Sequence, residues 1–228
     1  MSVLDDKIAA LEAALTRVAA SAPRTALASS LGPEDQVLTD VIARLGLAIE
    51  VFTLNTGRLH AETLALLQTT QVRYGFRFTV YEPAPSSVLH YVKSYGENAF
   101  YDSVELRKAC CNIRKVEPLR RALNGRAAWV TGQRREQNVT RSALALEEHD
   151  ATFGMKKLNP LCDWTGSEVA AYLKRYALPV NALHARGYPS IGCEPCTRAI
   201  KDGEDERAGR WWWENAQNKE CGLHVQSK

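Results

Sequence analysis

Apolar residues recur at Leu4, Ile8, Leu11, Leu15 and Val18, the three-and-four spacing of one helix face, which predicts an amphipathic helix over residues 3–20. The period then shortens. TALAS (25–29) reads as a short buried strand. The helical spacing returns in GPEDQVLTDVIARLG (32–46), with Pro33 suited to a first turn and Gly46 to a helix end. IEVFTLN (49–55) is a second strand, AETLALLQTTQVRYG (61–75) another helix and RFTVY (77–81) a third strand. This alternation predicts a parallel sheet joined by right-handed crossovers. Residues 86–124 read as mostly helical, AAWVTG (127–132) as one more central strand, QRREQNVTRS (133–142) as a polar loop and SEVAAYLKRYAL (167–178) as a helix. Beyond 180, Gly, Pro, Cys and charged residues break any period. The expectation is one α/β domain over 1–228, with a doubly wound, mainly parallel sheet and an irregular, mobile C-terminal arm over 203–228.

Composition narrows this only a little. The 228 residues are 45% hydrophobic and 24% charged, ordinary for a globular chain able to bury a sizeable core. No run approaches the ~18 apolar residues of a membrane helix. MSVLDDKIAALEAAL carries acids where a secretion signal carries bases, so a cytoplasmic protein without a membrane partner is expected. A net charge of +3 is too small to argue for nucleic acid and is compatible with a pocket for a small anion. Six cysteines are too sparse for a disulfide scaffold; clustered in a reducing compartment they point to metal or redox chemistry.

In a doubly wound sheet, ligands bind beyond the carboxyl ends of the strands, and three loops occupy that position. SSLGPED (29–35) combines two hydroxyls, a glycine and a helix start, a plausible anion cradle or an ordinary serine cap. NTGRLH (55–60) offers Arg58 and His60, and TGQRREQ with TRS (131–142) offers Arg134, Arg135 and Arg141. Arginine suits bidentate contact with phosphate or sulfate. A solvated charged loop is the alternative for each.

The cysteines say more. Cys110 and Cys111 are adjacent, and Cys193 and Cys196 form a CxxC pair. Four thiolates in two pairs can bind zinc or an iron–sulfur cluster, and adjacent cysteines fit more easily around a cubane cluster, which favours [4Fe–4S]. Cys162 has no partner nearby in sequence and reads as a small buried residue. Cys221 sits in KECGLH, a polar stretch near the chain end, with Lys219 and His224 favouring its thiolate and Glu220 opposing it. Upstream, Arg207 and Arg210 stand three apart, as on one helix face, and Trp211, Trp212 and Trp213 cannot all share a face. At least one of the three is expected to pack on the body.

SSLGPED, NTGRLH, CCNIRKVEPL, TGQRREQ, GCEPCTR, EDERAGRWWWE and KECGLH, in this order from Ser29 to His224, together resemble the assimilatory sulfonucleotide reductases. One branch of that family acts on adenosine 5′-phosphosulfate (APS) and carries the CC…CxxC set with a [4Fe–4S] cluster. The other acts on 3′-phospho-APS (PAPS) and generally lacks it. The chain resembles the first branch. The resemblance implies an adenine-nucleotide α-hydrolase-like fold and a two-stage thiol reaction. Cys221 would attack the sulfur of APS, release AMP and hold an S-sulfocysteine; reduced thioredoxin, or a glutaredoxin-like donor, would then release sulfite. By the same match, Cys110, Cys111, Cys193 and Cys196 would hold the cluster, and Lys115 would lie between cluster and substrate. Arg207 and Arg210 would contact the phosphosulfate, His224 would lie beside the nucleophile, and Ser29, Ser30 and Leu31 would line the nucleotide pocket. A homo-oligomer is expected. Where the family commonly has LDTGRLH, this chain has LNTGRLH, so Asn55 keeps size and an acceptor but loses a charge.

Other readings stay open on sequence. An ATP pyrophosphatase-type thiolase would want a longer SGGxDS loop than SSLGPED. A metal-stapled nucleic-acid module would bind with strong salt dependence, against the interleaved acids here. PAPS remains an alternative substrate.

Overall fold

A computed structural model describes residues 2–137 and 143–215; Arg141, Cys221 and His224 lie outside the described residues. Six strands, β1 (Ala26–Ala28), β2 (Glu50–Leu54), β3 (Thr79–Tyr81), β4 (Ala128–Val130), β5 (Glu147–Asp150) and β6 (Met155–Leu158), form one sheet in the order β3-β2-β1-β4-β6-β5. β1 pairs parallel with β2 and β4, with Leu27 beside Val51 and Val130, and β4 pairs parallel with β6. β5 runs antiparallel to β6 at the sheet edge. The mainly parallel α/β sheet expected from the alternating pattern is therefore present. The β5–β6 hairpin was not signalled, because EEHD has no apolar alternation.

Helices α1 (Val3–Ser21), α2 (Pro33–Arg44), α3 (Ala61–Tyr74), α4 (Pro85–Tyr95), α5 (Val104–Cys111), α6 (Glu117–Leu123) and α7 (Gly166–Arg175) follow their local signals. Ser2 and Asp5 form a capping box on α1, as Thr165 and Glu168 do on α7, and Pro33 opens α2. Between α5 and α6, Asn112–Val116 forms a wide π turn. Among the described residues, no helix is long and apolar enough to cross a membrane.

The chain divides into two compact units. The first comprises 1–53, 66–79 and 123–180. Its core joins Leu11, Leu15 and Val18 of α1, Val37, Leu38 and Val41 of α2, strand residues Leu27, Val51 and Val130, and Tyr172 of α7, all essentially buried. The second comprises 54–65, 80–122 and the chain from 181 onward. Its buried cluster is small and unusual in kind: Phe100, Trp211 and three cysteines, Cys111, Cys193 and Cys196, with Cys110 and Trp213 packed against it.

Candidate active site

In the first unit the strand order reverses between β1 and β4, and the loops beyond such a switch point are where open α/β sheets take their ligands. The turn after β1 is tightly specified. The Ser29 amide donates to the Phe52 carbonyl (2.8 Å), and the Leu31 amide donates to Ser29 Oγ (3.2 Å). Leu31 adopts a left-handed φ of +63°, which costs a residue with a side chain roughly 1–2 kcal/mol, while its side chain is buried in the core. Asp35, in the first turn of α2, closes the loop: its carboxylate accepts the Ser30 amide (2.6 Å) and the Ser30 hydroxyl (2.7 Å). Gly132, in the loop after β4, makes room for it, since a Cβ there would lie 2.5 Å from Asp35 Oδ1 and 2.8 Å from Glu34 Cβ.

Burial pushes the Asp35 carboxyl up to about 7, against the pull of its two Ser30 hydrogen bonds. The folded state then holds this proton where the unfolded chain has lost it. The group's contribution to stability therefore falls as pH rises from about 4 to about 7 and stays low above. Asp35→Asn removes the buried charge. Its unfolding free energy should exceed that of the unaltered protein by a margin that widens from pH 5 to pH 8, to on the order of a few kcal/mol at the upper end. A margin independent of pH would contradict the assignment.

The arginine loop is largely tied down. Arg134 is buried, with Nε donating to Glu34 (2.8 Å) and Nη1 to Glu136 (2.8 Å) and the Trp164 carbonyl (3.3 Å). Arg135 pairs with Asp163 and donates to the Leu144 carbonyl (2.7 Å). These braces join the loop to α2 and to the start of α7, where Gly166 donates to Glu136. Gln133, 6% exposed, keeps its side-chain carbonyl without a hydrogen-bond partner among the described residues, an omission that costs about 1–3 kcal/mol unless a ligand supplies a donor.

In the second unit the four cysteines come together. Cys110 and Cys111 end α5, and Cys193 and Cys196 bracket a single 3₁₀ turn; all four line one open pocket with about 330 Å³ of empty space, mouth included. Arg58, Arg107, Arg114 and Lys115 share its wall with Phe100 and Pro195. The Cys193 thiol donates to Thr56 Oγ1 (3.2 Å), and Arg114 donates to the Thr56 carbonyl (2.7 Å). Burial alone raises the Cys193 thiol, but Lys115, the Thr56 hydroxyl, Arg210 and Arg114 together hold it below the ordinary thiol value. Burial, with the neighbouring sulfurs, pushes Cys196 up to about 12 and outweighs Arg114 at Cys110. Buried sulfurs that resist ionising together suit a positively charged inorganic core, which deprotonates its thiol ligands outright. They ring a cavity: among the described residues, no three His, Cys, Asp or Glu side chains are grouped to hold one metal ion. Cys162 is buried in the first unit.

Arg58 stands on this cysteine pocket, 5.5 Å from the centre of the Phe100 ring and paired with Glu97 (2.7 Å). Arg207 and Arg210 do not form the helix face their spacing predicts. Residues 206–209 are turns, and Arg210 sits in an isolated bridge to Thr197. Arg207 is half-buried; Arg210 is buried, and its guanidinium fills the space that Gly192 leaves open. Of the three tryptophans, Trp211 is buried, Trp213 half-buried and Trp212 exposed. Asn55 is matched to its surroundings: its amide donates to Glu82 (2.7 Å), a carboxylate that an aspartate would repel. Sequence reasoning passed over Asp35, Thr56, Arg107, Arg114 and Glu214. Only Arg114, three and four residues after the cysteine pair, carried a local signal.

The sequence profile of the phosphoadenosine phosphosulfate reductase domain matches residues 24–199. An adenosine 5′-phosphosulfate reductase from Burkholderia cepacia is 57% identical over 219 residues, covering 96% of this chain and 88% of the relative. One from Allochromatium vinosum is 54% identical over 210 residues, covering 92% and 82%. Among solved structures, phosphoadenylyl-sulfate reductase from Candida auris superposes with a TM-score of 0.72 at 24% identity, covering 88% of this chain and 98% of that one. At that identity the likeness speaks for the fold, which is the adenine-nucleotide α-hydrolase-like one. A profile match across most of the chain, and relatives more than half identical nearly end to end, establish that the protein belongs to the phosphoadenosine phosphosulfate reductase domain family.

Proposed function

We propose that this protein reduces adenosine 5′-phosphosulfate to sulfite and AMP, with a dithiol protein of the thioredoxin type as reductant. The observation that carries the reading is the pocket of four cysteines walled by cations, in a chain this similar to proteins named adenosine 5′-phosphosulfate reductases. In the reaction, the Cys221 thiolate attacks the sulfur of the substrate. The bond from sulfur to the AMP phosphate breaks, and AMP leaves with the electron pair. A donor thiolate then attacks the Cys221 sulfur, sulfite leaves with the electron pair, and the donor's second thiol resolves the mixed disulfide. Two thiols are oxidised for each sulfate reduced, so the electron count closes on sulfur. The nucleotide is assigned to the turn of Ser29, Ser30 and Leu31. The anionic groups are assigned to Arg58, Arg134, Arg135, Arg141, Arg207 and Arg210, with Lys115 and His224 beside the reacting atoms. Arg134 and Arg135 also brace their own loop through their carboxylate partners.

Cys110, Cys111, Cys193 and Cys196 would hold a [4Fe–4S] cluster, and the residues fit it. Four thiolates on a dicationic cluster leave a net charge of −2, and the cationic wall offsets that charge. Bound there, the cluster supplies a polarisable anionic centre that ties four chain positions together. A cytoplasmic location, a homo-oligomeric state and an arm that moves between substrate and reductant belong to the same proposal. The test is anaerobic purification followed by thioredoxin-dependent sulfite release from APS and PAPS side by side. Strong preference for APS is expected. Equal or greater activity with PAPS would break the link between the cysteine set and substrate choice.

A further inference from the structure

The stretch from Gly209 to Glu214 is held more tightly than a run toward a chain end requires. Trp211 is 1% exposed and adopts a φ of +41°, a strained conformation for a bulky residue. The guanidinium groups of Arg107 and Arg210 lie over its indole ring, 4.8 and 4.7 Å from the centre, with the Lys115 ammonium 5.9 Å away. Its amide donates to the Cys196 carbonyl (3.1 Å), and the Arg198 amide donates to the Gly209 carbonyl (3.0 Å). Gly209 meets the Arg198 carbonyl so closely that a Cβ would collide with it. Glu214 then takes a two-pronged grip from Arg107, Nε to Oε1 at 2.9 Å and Nη2 to Oε2 at 2.7 Å, with side chains 0% and 3% exposed. Strain of this kind persists only where the surroundings over-determine it. A buried ion pair is weak evidence for stability as such and better evidence for a fixed geometry.

Resting on Cys221 as the nucleophile, we propose that Arg107 and Glu214 are positioning residues: their pair fixes the point from which the chain runs to Cys221 and so sets the approach of the thiolate to the substrate sulfur. Cys221 follows Glu214 by seven residues (221 − 214), a reach of at most roughly 25 Å. Tether length alone is a small effect. Freeing the chain back to Trp211 lengthens the tether from seven residues to ten (221 − 211), and local concentration falls as about the −3/2 power of length, less than about twofold. Orientation is the larger effect, since a misplacement of about 1 Å can cost on the order of 100-fold.

The test uses the full chain, purified anaerobically, as Glu214→Gln and Arg107→Lys. Four quantities are read: the rate of S-sulfo adduct formation on Cys221 at saturating APS without reductant, followed by peptide mass; AMP affinity; alkylation of Cys221 by iodoacetamide; and iron content. Adduct formation is expected to slow about 10-fold or more in both variants, while the other three stay within about twofold. Alkylation needs no placement, so it separates a misplaced thiol from an unreactive one. An adduct rate within about twofold of the unaltered protein overturns the positioning role and leaves Cys221 as nucleophile. Loss of iron in both variants assigns the pair to the cysteine pocket and also overturns it. Absence of any adduct on Cys221 in the unaltered protein is the separate failure of the underlying assignment.

Discussion

Changing Cys221 to serine is expected to lower sulfite release from APS by roughly 10⁴-fold or more, the scale on which enzymes lose activity when a covalent nucleophile is removed. The reacting sulfur calls for a soft, ionised nucleophile. An ordinary thiol is about 10% thiolate near pH 7.5, whereas a serine hydroxyl is not measurably ionised there. Lys219 and His224 lie close in sequence to favour the thiolate. AMP affinity and iron content are expected to stay near their original values, because the Ser29–Leu31 turn and the cysteine pocket are built from residues no later than Glu214. Sulfite release, AMP binding and iron analysis on one preparation check all three. Substantial residual sulfite release, or iron lost with the substitution, would contradict the role of Cys221.

The second large effect is expected at the pocket. Cys193→Ser should bring iron and acid-labile sulfide down to background and remove the visible absorption of the cluster. A hydroxyl is a poor substitute for a thiolate as an iron ligand, and the Cys193 thiol is held below its ordinary value because Lys115, Thr56, Arg210 and Arg114 outweigh burial there. The loss should spread. Cys193 and Cys196 are joined through one 3₁₀ turn, the Cys196 carbonyl receives the Trp211 amide, and Trp211 packs in the same buried cluster. Hydrogen exchange at the Trp211 amide should therefore speed up in the variant. Full iron content in Cys193→Ser would remove this cysteine from the ligand set.

The alternation of β1, α2, β2, α3 and β3 was legible because β1 is a run of Ala and Leu, β2 and β3 combine Val, Phe, Leu and Tyr with the strand-favouring Thr, and the helices repeat apolar residues at three and four. The β5–β6 hairpin was not, since Glu147, Glu148 and His149 lie on an edge strand, where one neighbour and solvent replace a second strand. The cysteines were legible as a set of thiols. Their meeting in one pocket depends on contacts such as Thr56 with Cys193, 137 positions apart, which no local pattern encodes. The arginine loop shows the opposite case. Arg134 and Arg135 read as open cations because their partners, Glu34, Glu136 and Asp163, reach them mainly through the tertiary fold. The helix expected for Arg207 and Arg210 gave way to turns, and Arg210 is buried against Gly192, a packing that spacing alone does not reveal.

The wide turn at Asn112–Val116 constrains how this chain can change over time. The Glu117 amide bonds to the Asn112 carbonyl five residues back, so the turn holds one residue more than an α-helix would. Removing one of these five residues would close it into ordinary helix and leave the direction of α6 nearly unchanged, because the widening is what absorbs the extra residue. Lineages descended from this sequence can thus shed one residue here without turning α6, whereas a further insertion would have to be absorbed by a second widening.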